Sequence, residues 1–321
     1  MINIVVTCTK KKRKGPEYPL YPELKLGSIH GNLNLRFNRW IEAIEKVDAP
    51  DVSAKNLYVG DHWSVARSLN QPTSDIKLWV CSAGYGLITP ESRIKPYSAT
   101  FSMHNFDSVG SSTEDNQTWW GMLNAYRGEE FCAISQPRSI EEIASADPGS
   151  QILVIASKNY LNAIQKDVLK AISTLTEPSN LAIISAGTRV SKEFVEHLVE
   201  CDARFSHIVK GALRSLNVRI ARELLFQPIV LDTLATGGDL MSALKFGITK
   251  IAPNGLPDLI RYSDREPQTD EQIKAFISDR LDHEPTSTFT KLLKELRLVN
   301  KKQCEQRRFS NLFHHVQSER V

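Results

Sequence analysis

Cys8 closes an apolar, β-branched stretch, Ile2–Thr7, and is followed almost at once by five cations, Lys10, Lys11, Lys12, Arg13 and Lys14. Ammonium groups near a thiol favour the thiolate, the form that attacks an electrophilic carbon. The same cations suit phosphate oxygens. Both roles fit together when the substrate is a nucleotide within a nucleic acid. A second thiol, Cys81, stands beside Ser82 at the end of another apolar run, Leu78-Trp79-Val80. The chain then passes through Gly84-Tyr85-Gly86 and Pro90 to Lys95-Pro96-Tyr97-Ser98, a stiff segment carrying an ammonium, a phenol and a hydroxyl. Glycines there permit positive φ and close approach of a ligand, which suits a binding loop over a strand end. A plain strand–turn connection is the competing reading, and for either cysteine alone a small buried hydrophobe is the default.

These residues need a frame. Ile2–Thr7, Leu78-Trp79-Val80, Gln151–Ala156 and Leu181–Ser185 read as buried strands. Helical spacing appears over Leu35–Val47, within Ala54–Ser68, around Trp119-Trp120, and over Tyr160–Leu175, Lys192–Val199 and Val218–Leu225. Strands alternating with helices predict an α/β domain with a mostly parallel sheet flanked by helices. Four of the apolar runs end in small hydroxyl or thiol residues: Thr7-Cys8, Cys81-Ser82, Ser157 and Ser185. Ligands of open α/β sheets sit beyond the carboxyl ends of the strands, so these residues are expected around one cavity, with Tyr85, Lys95 and Tyr97 as further substrate contacts. Small polar residues also favour strand ends and caps for purely structural reasons.

From Gln227 the pattern changes. Gly237-Gly238, Pro253-Asn254-Gly255 and Pro257 interrupt it, and helices are then expected over Thr269–Leu281, Thr288–Leu298 and Lys301–Val316. The division expected is therefore an α/β domain over Met1–Phe226 and a small helical module over Gln227–Val321. Between Thr286 and Val321 eight Lys or Arg face three Glu. Arg297, Lys301, Lys302, Arg307 and Arg308 are candidate nucleic-acid contacts, and a solvated charged face is the plainer alternative. The five cysteines, Cys8, Cys81, Cys132, Cys201 and Cys304, have no paired spacing, which argues against zinc clusters and disulfide frameworks. Phosphate-loop, dinucleotide and zinc-protease motifs are all missing, so no cofactor and no metal is expected. No apolar stretch reaches membrane-spanning length and no leader pattern opens the chain, so the expected location is the cytoplasm, with no membrane partner. A net charge of +3 leaves nucleic-acid binding to local patches.

Several separated motifs agree with one family. Cys8 with Lys12, then Ala54–Gly60 (AKNLYVG), Ser82–Pro90 (SAGYGLITP) and Pro96-Tyr97 resemble the marks of YaaA-related domains, over about the first two thirds of the chain. The resemblance implies a uracil-DNA-glycosylase-like α/β fold and, for some relatives, DNA binding. The Cys8–Lys12 spacing also resembles archaeosine synthase, which processes the nitrile of 7-cyano-7-deazaguanine in tRNA. Thr7 stands where that family has proline, Arg13-Lys14 stand where it has Pro-Tyr, and Ser102 and His104 lie near without its later spacing. Bacterial 7-deazaguanine DNA-modification clusters contain a protein that hydrates the same nitrile in DNA, and this chain resembles such a protein. The implied activity is hydration of the base nitrile to the amide through a Cys8 thioimidate. Lys12 or a neighbour would protonate the nitrogen, and Cys81 would be the rival thiol. The partner would be DNA, with RNA the alternative, together with other proteins of such a cluster. Tyr85 and Trp63 are candidate stacking partners for an extruded base. Two other readings stay open: a non-catalytic DNA-binding stress or defence protein, and a base-excising or base-exchanging enzyme using Asp61.

Overall fold

The computed structural model describes residues 1–70, 76–128, 136–186, 191–199, 201–253, 255–256 and 265–320. Cys132, Gly187-Thr188, Asn254 and Pro257 lie outside the described residues. Two compact units are present, Met1–Leu256 and Pro257–Val321.

The first unit runs β1 (Ile2–Thr7), α1 (Leu33–Lys46), β2 (Val52–Ser53), α2 (Ala54–Leu57), α3 (Asp61–Arg67), β3 (Ile76–Ser82), β4 (Gly86–Ile88), β5 (Arg93–Ile94) and α4 (Thr113–Ala125). It continues through α5 (Ile140–Ala146), β6 (Gln151–Ile155), α6 (Lys158–Ala163), α7 (Gln165–Thr174), β7 (Leu181–Ile184), β8 (Leu198–Val199), α8 (Leu216–Leu225), α9 (Pro228–Ala235) and α10 (Leu240–Ile251). Its main sheet has the order β4-β3-β1-β6-β7-β8, with only β4 antiparallel to its neighbour. Interior parallel strands are covered on both faces, which is why Ile4, Val5, Val6 and Ile152–Ile155 are continuous apolar runs at most 1% exposed. Asn3 is tolerated within this core because its Oδ1 accepts a hydrogen bond from Trp79 Nε1 at 2.9 Å.

The sheet is mostly parallel and flanked by helices, as the alternating pattern predicts. Local chemistry sets the helix starts: Asn32 caps α1 through the Leu35 amide, and Ser112 with Asp115 forms a capping box on α4. Three expectations change. Lys192–Val199 is a short 3-10 helix followed by edge strand β8 rather than an α-helix. Gly84-Tyr85 is the tight turn of the β3–β4 hairpin rather than an open ligand loop. The division expected after Phe226 falls after Leu256, because α9 and α10 pack back onto the first unit. Gly247 lets α10 approach closely, since a Cβ there would stand 2.8 Å from Val230, and Leu240 and Leu244 are wholly buried in the same core.

The second unit carries β9 (Glu266–Pro267), α11 (Asp270–His283), α12 (Phe289–Leu298), β10 (Lys302–Gln303) and α13 (Gln306–Ser318). Ile273, Ile277, Leu292, Leu296, Phe309 and Phe313 form its own core. Thr269 and Thr288 cap α11 and α12.

Candidate active site

Parallel pairing brings the strand ends together. Thr7 is opposite Cys81, Val6 opposite Ile155, and Ile155 opposite Ile184. The chain leaves β1 toward β3 on one side, whereas it leaves β6 toward β7 on the other. The crevice of a doubly wound sheet opens where the connections diverge in this way, here between β1 and β6. A hydrogen bond spans that point: Cys8 Sγ lies 3.2 Å from the Tyr160 hydroxyl, presented from the first turns of α6. The Cys8 amide donates to Cys81 O at 2.9 Å, which fixes the thiol at the end of the β1–β3 ladder.

The segment after Cys8 is stitched to a second element. Arg13 N donates to Leu57 O and Val59 N donates to Lys11 O, at 2.8 and 3.2 Å, so Lys12 and Tyr58 form an antiparallel bridge. Extended chain sends alternate side chains to opposite faces. Lys11 and Arg13 therefore project to solvent while Lys12 is half-buried. Its Nζ lies 4.2 Å from the centroid of the Tyr97 ring and 5.8 Å from that of Tyr58, and donates to Thr9 O at 3.3 Å. Behind it runs a hydroxyl chain: Tyr97 is bonded to Ser82 Oγ at 2.7 Å and to Tyr58 at 2.9 Å. Ser82 Oγ in turn accepts from the Tyr85 amide at 3.0 Å.

The electrostatics follow from enclosure. Burial lowers the Lys12 pKa below its ordinary value, against the opposing pull of Cys8 and Asp107. Burial, and the negative charge available at Cys8, push Tyr58, Tyr97 and Tyr160 well above the usual phenol range, so all three are O–H donors at neutral pH. Cys81 is pushed well above the usual thiol range by burial and by Asp167. It is fully enclosed and stays a neutral thiol, so it is a core residue rather than a rival nucleophile.

Of the expected site residues, Cys8, Lys12, Ser82 and Tyr97 meet in one cluster. Tyr85 and Lys95 do not serve as open contacts. The Tyr85 ring is wholly buried, with its hydroxyl on the Lys95 backbone, and Lys95 Nζ donates to Ile44 O. Trp63 is likewise enclosed, its Nε1 donating to Lys55 O. Ser157 is exposed at the start of α6. Ser185 is buried at the end of β7, its hydroxyl without a hydrogen-bond partner among the described residues. Asp61 is engaged by Ser215 and Arg219. The expected open cavity between Cys8 and Ser82 is instead a packed polar cluster, with Cys8 6% exposed. Depressions of about 370 and 350 Å³ lie elsewhere, beside Phe289 and beside Arg222. Tyr58 and Tyr160 are the members that sequence reasoning missed. Tyr58 stood within AKNLYVG, and Tyr160 only three positions past the Ser157 strand end.

Among the basic candidates, Lys10, Lys11, Arg13 and Lys14 are exposed. In the second unit Arg297 donates to Cys304 O, Lys302 pairs with Glu266 and Arg308 pairs with Asp270, whereas Lys301 and Arg307 are exposed. No helix among the described residues is long and apolar enough to cross a membrane. No family model, curated protein or solved structure matches the chain.

Proposed function

We propose that this protein hydrates a nitrile on a base carried in DNA, converting 7-cyano-7-deazaguanine to the corresponding amide. One observation carries the reading: a thiol at the switch point of a parallel sheet, hydrogen-bonded to a neutral phenol and flanked by a half-buried cation. Cys8 thiolate adds to the nitrile carbon, forming a C–S bond. The nitrile nitrogen takes its proton from Lys12 or Tyr160. Lys12 suits this task because burial weakens its hold on the proton. Water then adds to the thioimidate carbon and gives one proton back to the donor, the C–S bond breaks, and the thiolate leaves, so the net change is one water gained. A nitrile is a slim, linear group, which fits a thiol with so little exposed surface. The uracil-DNA-glycosylase-like form of the fold, and partner proteins of a DNA-modification cluster, belong to this same proposal.

The closure around Cys8 favours one second reading, a DNA-binding protein without turnover. Mass spectrometry of nucleosides from DNA bearing the nitrile base, after incubation with the protein, separates the two. Gain of one water supports hydration. An unchanged base supports the binder, and a lost base supports excision.

A further inference from the structure

The segment Lys210–Ser215, which no motif singled out, is bonded to the start of α3, the element that adjoins the basic loop after β1. Gly211 has φ +136°, and the Arg219 side chain occupies the space a Cβ would need there, 2.3 Å from that position. Arg219 extends to Asp61, its Nε 3.2 Å from Oδ2. Ser215 Oγ donates to the same carboxylate and to Ala212 O. These bonds hold the Asp61 carboxyl below its ordinary range, Ser215 contributing most. Asp61 directly follows Gly60, which lies against the Lys11 side chain, 3.8 Å from where a Cβ would stand. The loop 9–14, the start of α3 and the segment 210–215 therefore form one continuous structure.

That structure lies at the carboxyl edge of the sheet. Asn217, in the first turn of α8, accepts from the Ala186 amide and donates to Ala156 O at 2.8 and 2.9 Å, tying this region to the ends of β7 and β6. Asp61 and Arg219 neutralise each other within the joint. Lys210 and Arg214 are exposed, as are Lys10, Lys11, Arg13 and Lys14, and none of the six forms a salt bridge with a described residue. Leu213, between the two new cations, is 64% exposed.

We propose that Lys210 and Arg214 join Lys10, Lys11, Arg13 and Lys14 in one track for the phosphodiester backbone of a nucleic acid, laid along the edge that holds Cys8. The proposal rests on the nucleic-acid substrate of the reading above. It differs from a merely solvated surface because a positive-φ glycine and the Asp61 bonds fix the loop before any ligand arrives. Each phosphate neutralised releases condensed counterions and adds about 0.9 to the slope of log affinity against log salt for duplex DNA.

The test uses the full chain and an unmodified short DNA duplex, with binding followed by fluorescence anisotropy over a salt series. The double variant Lys210→Ala with Arg214→Ala is expected to flatten the slope by about 1.8 and weaken binding on the order of tenfold at low salt. Lys166→Ala with Lys170→Ala, the same charge change on the exposed face of α7, should leave the slope at the wild-type value. An unchanged slope in the first variant, or an equal loss in the second, overturns the proposal. Wild-type protein that shows no salt-dependent binding overturns it too. A parallel arm with an RNA hairpin tells which nucleic acid the track prefers. Because the duplex carries no nitrile, the outcome is independent of turnover. Hydration with an unchanged slope sinks the track alone, and a flattened slope without hydration sinks the reaction alone.

Discussion

Replacing Tyr97 with phenylalanine removes one oxygen from the centre of the hydroxyl chain and leaves the ring under Lys12 in place. Tyr97 bonds Ser82 at 2.7 Å and Tyr58 at 2.9 Å, and all three residues are at most 1% exposed. Without the Tyr97 hydroxyl, the Tyr58 hydroxyl loses its 2.9 Å bond in a buried position and keeps only the weaker interaction with Ser82, which costs about 1–3 kcal/mol. Ser82 keeps its backbone donors at Gly84 and Tyr85 and forfeits one ordinary bond, about 1 kcal/mol. The expected loss for Tyr97→Phe is therefore about 2–4 kcal/mol. Tyr58→Phe alone leaves Tyr97 bonded to Ser82 and should cost about 1 kcal/mol. In the double variant no Tyr58 hydroxyl remains to be orphaned, so its loss should be no greater than that of Tyr97→Phe and should fall short of the sum, a coupling of about 1 kcal/mol or more. Urea unfolding followed by tryptophan fluorescence reads this directly, because Trp40, Trp63, Trp79, Trp119 and Trp120 all lie in the first unit. Additive single losses would refute the hydrogen-bonded chain.

Alkaline pH should destabilise the first unit. Burial pushes the Cys201 thiol from 9.0 up to about 12, and Cys81, Tyr58, Tyr97 and Tyr160 move the same way. The fold prefers each of these groups protonated, so its advantage is complete below the ordinary values and is lost as pH rises through the raised ones. Lys12 and Arg36, with their pKa values lowered by burial, contribute the opposite sign, but they are two groups against five. The urea midpoint, read by circular dichroism, should fall between pH 9 and pH 12; a midpoint that holds or rises would contradict the enclosure of these groups. Gly84→Ala would set a Cβ 2.6 Å from the Tyr97 ring and 3.0 Å from Trp40, and should cost about 1–3 kcal/mol as overpacking. Gly121→Ala, in α4 with nothing within 4 Å, should instead stabilise by about 0.5–1 kcal/mol in the same urea titration.

The sheet was legible because buried parallel strands are written as largely apolar runs, and β1, β3, β6 and β7 all have that form. Their order followed from no local signal, yet the rule about carboxyl ends sufficed to place Cys8 and Ser82 on one edge. The glycines of Gly84–Gly86 misled, since the turn they make is closed over by Trp40, Tyr97 and Trp119 rather than opened to a ligand. Lys95 misled for a related reason: a lysine beside a proline reads as surface chemistry, whereas its ammonium is buried against the end of α1. Five consecutive cations gave no hint that one of them turns inward. That depends on the bridge between Lys12 and Tyr58, which joins segments 46 positions apart. Tyr160 depended on the crossover after β6, whose first helix sets its hydroxyl against Cys8. Helices α9 and α10 were obscured by glycines, and their membership of the first unit is a matter of tertiary packing.

Covalent attack of Cys8 on a nitrile is tested by single-turnover reactions with DNA bearing 7-cyano-7-deazaguanine. Nucleosides are analysed by mass spectrometry for wild type, Cys8→Ala, Cys8→Ser and Cys81→Ala. Wild type and Cys81→Ala should each add one water to the base. Cys8→Ala should add none while still folding and binding DNA, and Cys8→Ser should be nearly as inactive, because a hydroxyl has no thiolate character at neutral pH. Hydration by Cys8→Ala at the wild-type rate would contradict the account.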